Sequence, residues 1–402
     1  MTASLTTSDR AHLQQALELA EGGRGRVSPN PLVGAVVARD GETIGEGFHA
    51  ELGGLHAERA ALEDCRRRGE DPAGATIYVT LEPCAHQGRQ PPCVDAILEA
   101  GVARVVIGSD DPSEKAAGRG PGILRDGGVE VEFAAGEPAT AARRLNQPFR
   151  KHARTGLPLV ILKMAMSLDG QTATSPDESP WISGERSRAL VHRWRGECDA
   201  IAVGIGTVLA DDPLLTARPE ASGATSPDMS GKTRTGTDWR QPTRVVFDRQ
   251  ARLPLNSKLL KTLDVSPVLV VVSPDADRAR TEALRAAGAE VLVADSIDGA
   301  LSDLGRRGIT SLFLEGGRTL AAAFVRSDAM DESRTFVAPV LLGDTASRAG
   351  GVAGGTAPEE ALATGGGGGS PAATGPARRS ALSSDVERVG EDVLITSRFK
   401  EW

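Results

Sequence analysis

The first part of the chain alternates between segments with helical and with extended hydrophobic spacing. Apolar residues recur every three or four positions from Leu13 to Ala20, as on one face of a helix. Short apolar runs bounded by Gly, Pro and Asp predict strands. The predicted elements are a helix through Leu13–Ala20, strands at 32–38 and 44–48, a helix at 56–62, a strand at 75–81, a helix at 94–100 and a strand at 103–108. This β-α-β-α-β order predicts a partly parallel sheet with both faces covered.

A second α/β pattern begins at Leu159 and continues to the end of the chain. We expect strands at 159–165, 200–203, 244–248, 267–272, 290–293, 311–315 and 334–340, and helices at 184–195, 276–287 and 319–326. The segment Val386–Ile395 predicts one last strand returning to this part. Strands that alternate with helices favour an α/β fold with a largely parallel sheet.

At 402 residues the chain is too long for one ordinary domain, so two domains are expected. We assign residues 1–148 to the first and 159–402 to the second, joined by a basic, turn-rich linker at 149–158. Within the second domain, residues 219–239 are polar and rich in helix and strand breakers. Residues 346–382 contain five consecutive glycines, Gly365–Gly369. We predict that both segments are flexible insertions.

The composition narrows the class of protein. A net charge of −8 with only 3% aromatic residues argues against a nucleic-acid partner. The four cysteines are too few and too scattered for a disulfide framework, which favours a reducing compartment, the cytoplasm. The N-terminal segment has no secretory signal pattern, and no apolar run is long enough to span a membrane.

The segment His56-Ala57-Glu58, followed by Pro83-Cys84 and Cys93, carries the clearest chemistry. One imidazole and two thiols are a typical ligand set for Zn²⁺, and a fourth position left to water distinguishes a catalytic site from a structural one. Bound zinc lowers the pKa of such water to about 7. Glu58 is expected to carry the proton from this water to a leaving amine. The pattern is that of zinc deaminases acting on cytosine-like or adenine-like rings, although eight residues separate the cysteines here where two are usual.

Three interpretations of this cluster stay open. Cys84 follows a predicted strand and Cys93 begins a predicted helix, so the two thiols can converge on one ion, and a helix N-terminus favours thiolate. A catalytic zinc is favoured. A structural zinc would need a fourth protein ligand, for which His86 is the local candidate. Without a metal, the residues would simply belong to the core.

Three features outside the cluster suggest further contacts. Asn30 follows Pro29, where its amide could pair with the edge of a ring. Lys163 interrupts an apolar run, a costly place for an unpaired charge, which makes a functional role plausible. Gly316-Gly317 lies between a predicted strand and a predicted helix and suits an anion at a helix N-terminus. There is no G-x-G-x-x-G motif, so a Rossmann domain is disfavoured.

These motifs together resemble the bifunctional riboflavin-biosynthesis deaminase/reductase (RibD) family, in which the wide cysteine spacing is normal. The matching segments are 29–34, 56–58, 80–93, 162–170, 181–183, 207–213, 314–317 and 390–395. The resemblance implies an N-terminal domain like cytidine deaminase, with His56, Cys84 and Cys93 as zinc ligands and Glu58 as the catalytic proton shuttle. It also implies a C-terminal domain like dihydrofolate reductase that uses NADPH.

The reactions implied by the resemblance are consecutive. The first is hydrolytic deamination of 2,5-diamino-6-ribosylamino-4(3H)-pyrimidinone 5′-phosphate. The second is reduction of the ribosyl chain, which gives 5-amino-6-ribitylamino-uracil 5′-phosphate. Since members of the family tend to associate, a homo-oligomer is expected. The expected binding partner is this small-molecule substrate, and neither a nucleic acid nor a membrane is expected to bind.

The resemblance also implies contact residues in the reductase domain. The expected cofactor contacts are Ala165, Trp181, Thr207, Asp211, Gly317, Arg318, Thr319, Leu320, Ala321, Ala322 and Ala323. The expected substrate contacts are Ser179, Arg195, Leu214, Arg218 and Glu315, together with Asn30 in the deaminase domain. Arg195 and Arg218 suit bidentate holding of a phosphate. Which of Lys163, Asp169 and Asp212 would supply a proton in the reduction stays open.

Two other functions remain to be compared with this one. The chain could be a nucleoside or tRNA deaminase joined to an unrelated nucleotide-binding domain, although the acidic balance argues against it. It could also be a non-enzymatic zinc-stabilised module joined to an NADP sensor, which requires a closed metal site.

Overall fold

The computed structural model describes residues 5–88, 90–114, 116, 118–172, 181–218, 240–343 and 379–402. Within these residues the strands form two separate sheets, one of five strands and one of nine. Both are α/β arrangements, as the sequence predicts. The predicted insertion at 219–239 and most of the one at 346–382 lie outside the described residues.

The first sheet has the strand order β2-β1-β3-β4-β5. Its strands are β1 Gly34–Arg39, β2 Glu42–Phe48, β3 Thr76–Val79, β4 Arg104–Ile107 and β5 Glu130–Phe133. Its helices are α1 Thr7–Ala20, α2 Ala57–Arg68, α3 Cys93–Glu99, α4 Arg119–Asp126, α5 Glu137–Leu145 and α6 Gln147–Thr155, with a 3₁₀ turn at Glu21–Gly23. β1 pairs antiparallel with β2 and β3, whereas β3, β4 and β5 are parallel.

Both faces of this sheet are covered, which confirms the sequence prediction. Alternate strand residues separate into two hydrophobic clusters, one with Val37 and Ile77 and the other with Val36 and Tyr78. α2 lies so close to β2 that a side chain at Gly47 would collide with the backbone of Ala61, at 2.4 Å from its nitrogen. The glycine therefore allows the close contact that fixes the start of α2 over the sheet.

The second sheet has the order β10-β9-β8-β7-β11-β6-β12-β14-β13. Its strands are β6 Leu159–Ser167, β7 Ala200–Gly204, β8 Thr243–Phe247, β9 Val268–Val272, β10 Glu290–Val293, β11 Ser311–Leu314, β12 Glu332–Ala338, β13 Ser383–Val389 and β14 Asp392–Arg398. Its helices are α7 Glu185–Glu197, α8 Ile205–Asp211, α9 Lys258–Lys261, α10 Arg278–Ala286, α11 Ile297–Arg306 and α12 Arg318–Arg326. From β10 to β12 all neighbours are parallel, so their carboxyl ends share one edge.

Two sequence predictions of local structure are wrong. Residues 149–158 were expected to be a turn-rich linker, but most of them belong to α6, which ends at Gly156 in a left-handed conformation. The basic side chains that suggested a linker are instead bonded, since Lys151 lies 2.6 Å from Asp331 and both are buried. The final segment was expected to be one strand, but it is the hairpin β13–β14, with its turn at Gly390.

α6 contacts elements on both sides of it along the chain. Arg150 is buried and donates to the main-chain oxygens of Asp110 and Trp402. Asp331, which accepts from Lys151, also accepts from the main-chain nitrogen of Val160 and from the indole of Trp402. Buried charges are tolerated when they are paired and hydrogen-bonded in this way. α6 is thus a structural joint between the two sheets; the exact domain boundaries stay a prediction.

A search of the described residues finds no helix that is long and apolar enough to cross a membrane.

Candidate active sites

The predicted metal ligands come together at the starts of two helices. His56 immediately precedes α2, Cys84 lies in the loop after β3, and Cys93 is the first residue of α3. The main-chain nitrogens of Cys93 and Val94 both donate to the carbonyl of Cys84, which closes the loop between the two cysteines. Eight intervening residues therefore bring the thiols together, despite the spacing that is unusual for zinc deaminases in general.

The positions of the three ligand atoms fit one tetrahedral zinc ion. The Nδ1 atom of His56 lies 3.5 Å from the Sγ of Cys84 and 3.3 Å from the Sγ of Cys93. Zinc–nitrogen and zinc–sulfur bonds of about 2.1 and 2.3 Å at a tetrahedral angle would separate nitrogen and sulfur by about 3.6 Å. The three ligand atoms all lie within 4.8 Å of one another. Little movement is needed to place a zinc ion among them.

Among the described residues, this group contains three ligands and no fourth. His86, the candidate for a closed structural site, is not part of the group, and its Nδ1 atom is buried without a hydrogen-bond partner in the described part of the chain. Three N/S ligands with one position left over are the arrangement of a catalytic zinc site. The geometry favours the catalytic interpretation over the structural one.

Glu58 lies in the first turn of α2 and is buried beside the ligands. Burial, followed by the neighbouring Cys84, raises the pKa of Glu58 to about 7. A carboxyl group with a pKa near neutrality can both accept and return a proton at physiological pH. This is the property that a proton shuttle requires.

The two cysteines differ in how readily they ionise. The hydrogen bond from Cys93, helped by the one from His56, lowers the pKa of Cys84 to about 4, although burial opposes this. The same bond to Cys84, together with burial, raises the pKa of Cys93 far above its ordinary value. Without a metal the pair therefore holds one proton between two sulfurs. A cation at this position would replace that proton.

Asn30 is connected to the predicted metal ligands through His49, which contacts both Asn30 and His56. Its side-chain nitrogen lies 3.1 Å from the Nε2 of His49, and the Nδ1 of His49 lies 2.9 Å from the carbonyl oxygen of Leu55. The ring of His49 also meets that of His56 edge to face, with centroids 5.4 Å apart. His49 is buried, and burial lowers its pKa, so the neutral ring can donate through Nδ1 and accept from Asn30 through Nε2. This orientation leaves the amide oxygen of Asn30 available.

In the second sheet, Glu315 and Arg195 form a bidentate ion pair. The Nε and Nη2 atoms of Arg195 donate to the two carboxylate oxygens at 2.6 and 2.8 Å, and Nη1 donates to Thr216. Burial alone would raise the pKa of Glu315, but Arg195 lowers it. The sequence suggested that Arg195 holds a phosphate bidentately. In the structure its guanidinium is instead bonded to Glu315 and is not free to do so. Its position beside Glu315 is nevertheless on the shared strand edge.

Further cationic groups surround this pair. Lys163 lies on β6 beside Glu315, because β6 and β11 are adjacent and in register, and burial lowers the pKa of its ammonium. Burial and then Arg195 and Arg218 lower the pKa of His192 to about 4. Arg218 is exposed, and its main-chain nitrogen donates to His192. Positive charge therefore exceeds the single carboxylate here, which suits an anionic substrate.

The N-terminus of α12 lies at the same edge of the sheet. Gly317 caps the helix without any side-chain hydrogen bond, so the first main-chain N–H groups are free to bind an anion. A Cβ atom on Gly317 would lie 3.9 Å from the hydroxyl of Thr207, and one on Gly204 would lie 3.7 Å from the Cβ of Leu320. The glycines leave a cleft between α8 and α12. The main-chain N–H groups at the start of α12 and the space left by Gly204 and Gly317 fit the diphosphate of a dinucleotide.

The remaining predicted contacts lie around this cleft or outside the described residues. Ala165 is on β6, Asp211 ends α8, and the stretch 317–323 runs into α12. The carbonyl of Leu214 accepts from the fully buried Arg244, which fixes the loop that leads to Arg218. Trp181 is 62% exposed and has the guanidinium of Arg188 over its ring, 5.2 Å from the centroid. Ser179 lies outside the described residues.

Comparisons with known proteins match both parts of the chain. The family model for the cytidine and deoxycytidylate deaminase zinc-binding region matches residues 6–109, and the RibD C-terminal domain matches residues 158–357. A riboflavin biosynthesis protein RibD from Actinobacillus pleuropneumoniae is 41% identical, covering 84% of this chain and 85% of its own. The one from Escherichia coli strain K12 is 40% identical over 84% and 89%.

The chain belongs to the RibD family.

Solved RibD structures agree in fold. RibD of Acinetobacter baumannii superposes with a TM-score of 0.76 at 37% identity, covering 98% of this chain and 99% of that one. A Thermotoga maritima protein, described as a diaminohydroxyphosphoribosylaminopyrimidine deaminase/5-amino-6-(5-phosphoribosylamino)uracil reductase, has a TM-score of 0.76 at 32% identity, with 98% and 99% covered.

Membership of the RibD family confirms the expected fold and function. The chain is a bifunctional enzyme of riboflavin biosynthesis, with a deaminase domain of the zinc-binding type followed by a reductase domain. The alternatives of an unrelated nucleotide-binding domain and of a non-enzymatic sensor are therefore wrong. The individual site residues stay predictions, which the geometry above supports to different degrees.

Sequence reasoning missed one part of the RibD reductase domain. A cavity of about 790 Å³ opens beside α12, and Arg249, Arg252 and Ser273 line it along with Thr319 and Leu320. The signal that could have found the first three is their place in the loops that follow β8 and β9, because ligands bind at the carboxyl ends of parallel strands.

Proposed function

We propose that this chain deaminates 2,5-diamino-6-ribosylamino-4(3H)-pyrimidinone 5′-phosphate and then reduces the product to 5-amino-6-ribitylamino-uracil 5′-phosphate with NADPH. The observation that carries the first step is the three-ligand group of His56, Cys84 and Cys93 with the buried Glu58 beside it. The second step is supported by the cationic groups Lys163, Arg195 and Arg218 around Glu315 and by the start of α12, where Gly317 supplies no side-chain hydrogen bond.

In the deamination, His56, Cys84 and Cys93 would hold one zinc ion per chain. Zinc, when bound, makes a water-derived nucleophile available near neutral pH. Glu58 accepts the proton of the attacking water and delivers it to the departing amine, so that water and the aminopyrimidine give a carbonyl group and ammonia. The amide of Asn30, held by His49, accepts or donates at the ring edge and orients it.

In the reduction, the glycine cleft and α12 would hold the cofactor, and the cationic groups around Glu315 would hold the phosphorylated sugar. NADPH, when bound, supplies a hydride to the carbon that becomes C1′ of the ribityl chain. The bond from this carbon to the ring oxygen breaks, and that oxygen needs a proton. The carboxylate of Asp169 already accepts hydrogen bonds from Ser167, Leu342 and Gly343. The carboxylate of Asp212 accepts one from the main-chain nitrogen of Lys258.

Lys163 is the third candidate for the proton donor, and the structure favours it. Its side chain has no hydrogen-bond partner among the described residues, and it lies next to Glu315 on the adjacent strand. Because burial lowers the pKa of its ammonium, the group releases a proton more readily than an exposed lysine would. Lys163 therefore delivers the proton that completes the reduction, and Glu315 and Arg195 position the sugar.

Self-association and a cytoplasmic location belong to the same proposal. β13 is an edge strand that pairs only with β14 in the described part of the chain, and its Val386 is 67% exposed. An exposed apolar residue on a strand edge suits pairing with a second copy. Sedimentation of the purified chain is expected to give a species larger than the 41.8 kDa monomer.

One incubation tests the proposed function. The purified chain is mixed with the diaminopyrimidine phosphate, with and without NADPH, and the products are identified by mass. We expect ammonia and the deaminated pyrimidine without NADPH, and the ribityl product with it. Recovery of unchanged substrate from zinc-loaded protein would reject the proposal.

A further inference from the structure

Residues 214–218 form a short segment of the reductase domain that belongs to no helix and to neither sheet. None of them shares a hydrogen bond between main-chain atoms with another described residue. Leu215, Thr216 and Ala217 are nevertheless buried. Buried main-chain N–H and C=O groups need partners, so side chains have to supply them here.

Gln241 satisfies both main-chain groups of Ala217. Its Oε1 atom accepts from the nitrogen of Ala217 at 2.9 Å, and its Nε2 atom donates to the carbonyl oxygen of Ala217 at 3.0 Å. The side-chain amide thus supplies the two hydrogen bonds that a paired strand residue would supply. Arg218 follows Ala217 directly, so these two bonds fix the main chain from which the side chain of Arg218 begins.

The other hydrogen bonds of the segment are single and longer. At 3.3 Å each, they join Arg244 to the carbonyl of Leu214, Arg195 to the carbonyl of Thr216, and the nitrogen of Arg218 to His192. Leu215 has a φ of +52°, a left-handed conformation that a leucine keeps only where its surroundings impose it. By length and number of bonds, Gln241 contributes most to fixing the segment.

Gln241 is itself held on the frame of the second sheet. The residue before it, Arg240, lies 3.0 Å from the carboxylate of Asp199. Asp199 is only 2% exposed, and it also accepts from the main-chain nitrogen of Thr310 at 2.8 Å. The residue after it, Pro242, leads directly into β8. The amide of Gln241 therefore starts from a fixed position.

Arg218 is the cation that this arrangement presents to solvent. It is exposed, and its guanidinium makes no hydrogen bond or ion pair with another described residue. Partial burial, followed by the like charge of Arg195, lowers the pKa of Arg218, so the two guanidinium groups are near each other. Since Arg195 is bonded to Glu315, Arg218 is the guanidinium left to bind a phosphate.

We infer that Gln241 is a positioning residue of the reductase, which holds Ala217 so that Arg218 meets the 5′-phosphate of the substrate. This role rests on the proposed function, in which Arg218 contacts the substrate. Gln241 acts on the substrate only through Ala217 and Arg218. A guanidinium that starts from a fixed main chain loses less conformational freedom on binding, which strengthens its contact with the phosphate.

Steady-state NADPH oxidation by the full-length chain tests this role, with the deaminated pyrimidine phosphate and with the same compound lacking its phosphate. Gln241→Met keeps the length of the side chain and removes both hydrogen bonds to Ala217. The KM for the phosphorylated compound should rise by about 10-fold, and kcat should stay within about two-fold, because a weakened ground-state contact acts on binding. The KM for the compound without phosphate should change by less than about two-fold. A general loss of structure would affect both compounds.

A double variant shows whether Gln241 acts through Arg218. Arg218→Gln alone should raise the KM for the phosphorylated compound by about 10- to 100-fold, the value of a charge-assisted contact. Adding Gln241→Met to Arg218→Gln should change that KM by less than about two-fold, because the contact that Gln241 supports is already lost. Independent contributions would instead multiply.

Asp277→Ala is the matched control. The carboxylate of Asp277 accepts from the main-chain nitrogens of Ala279 and Arg280 at 2.8 and 3.0 Å, so this variant also removes two bonds between a side chain and the main chain. Both KM values should stay as in wild type. Gln241→Asn keeps an amide that is too short to reach both groups of Ala217. It should give a smaller rise that is confined to the phosphorylated compound, and it decides the question if Gln241→Met does not fold.

The outcomes separate the role of Gln241 from the function beneath it. If the wild-type chain oxidises no NADPH with the deaminated pyrimidine phosphate, the proposed reductase function fails. If Arg218→Gln raises the KM for the phosphorylated compound and neither Gln241 variant does, the function stands and the role of Gln241 is rejected. An equal rise for both compounds, an equal rise in Asp277→Ala, or multiplying effects in the double variant also reject it.

Discussion

The deaminase site and the reductase site are constructed in opposite ways. The first takes His56 and Cys93 from the starts of two helices and Cys84 from the loop before the second helix, and its groups His56, Glu58, Cys84 and Cys93 belong to two short motifs. The second gathers residues from the ends of strands that are distant in sequence, such as Lys163 and Glu315. A site of the first kind can be found from sequence spacing. A site of the second kind needs the sheet order.

The two sites also differ in how charge is balanced. In the deaminase site, burial raises the pKa of Glu58, and the hydrogen bond to Cys84 followed by burial raises the pKa of Cys93, so a bound cation would replace the proton that the two thiols share. In the reductase site the carboxylate of Glu315 is neutralised by Arg195, which leaves Lys163 and Arg218 as an excess of positive charge. One site therefore suits a metal and the other an anion. Variants that affect one site and not the other can test this contrast.

Replacing Glu58 by Gln should have the largest effect. Deamination should fall by about 10²- to 10⁴-fold, the usual contribution of a general acid or base. Reduction of substrate that is already deaminated should stay within about two-fold of wild type, since the second site uses other residues. Ammonia release and NADPH oxidation measure the two steps separately. Ammonia release close to the wild-type rate would remove Glu58 from the mechanism.

Replacing Asp331 by Ala should test the joint between the two sheets. Loss of this carboxylate leaves the ammonium of Lys151 buried and unpaired, which should lower the free energy of unfolding by about 3–5 kcal/mol. Glu282→Ala, which breaks the exposed Glu282–Arg285 pair on α10, should cost less than about 1 kcal/mol. Urea unfolding of both variants measures the difference. Equal losses would show that the joint contributes no more than a surface ion pair.

Replacing Lys163 by Met should produce the reverse of the Glu58 phenotype. We expect NADPH oxidation to fall by about 10²-fold, because the sugar oxygen loses its proton donor. Ammonia release should be unaffected. Lys258→Met, which removes a lysine paired with Asp212 at 4.0 Å, is the control. Undiminished reduction in Lys163→Met would return the choice of proton donor to the two aspartates.

The smallest predicted effect concerns His192 and pH. Its pKa in the folded protein, about 4, is below the ordinary value of 6.5. Protonation therefore favours the unfolded chain, and wild-type stability should be lost as pH falls below about 6.5 towards 4. Between pH 8 and pH 5 the free energy of unfolding should fall in both proteins. The fall should be larger in wild type than in His192→Gln, by on the order of 1–2 kcal/mol. Parallel pH dependence of the two proteins would show that the cationic surroundings do not act on His192.

The fold was largely predictable because its strands are apolar runs separated by helical patterns. The strand at 290–293 was placed without error, and most others within two residues. The errors arose where tertiary contacts decide. α6 resembles a linker in sequence because it is basic, and contacts with distant residues such as Asp331, Asp110 and Trp402 explain its basic side chains. The final hairpin looks like one strand because only Gly390 marks its turn.

The candidate sites were predictable to different extents for the same physical reason. The three predicted metal ligands lie in local motifs, so their spacing was enough to predict that their side chains come together. The ion-pair partner of Arg195 could not be predicted from the sequence. Glu315 lies beside Arg195 because of the order of the parallel strands, which the sequence does not reveal. The cavity beside α12 is marked by no sequence motif, because segments that are distant in the sequence form it.

X-ray absorption at the zinc edge of the stoichiometrically loaded full-length chain tests the central claim most directly. The account predicts one zinc per chain with two sulfur ligands at about 2.3 Å and two lighter ligands at about 2.0–2.1 Å, one from His56 and one from solvent. Cys84→Ser should change the sulfur count from two to one. A sphere closed by a second histidine, or any sulfur count other than two in the wild-type protein, would contradict the account.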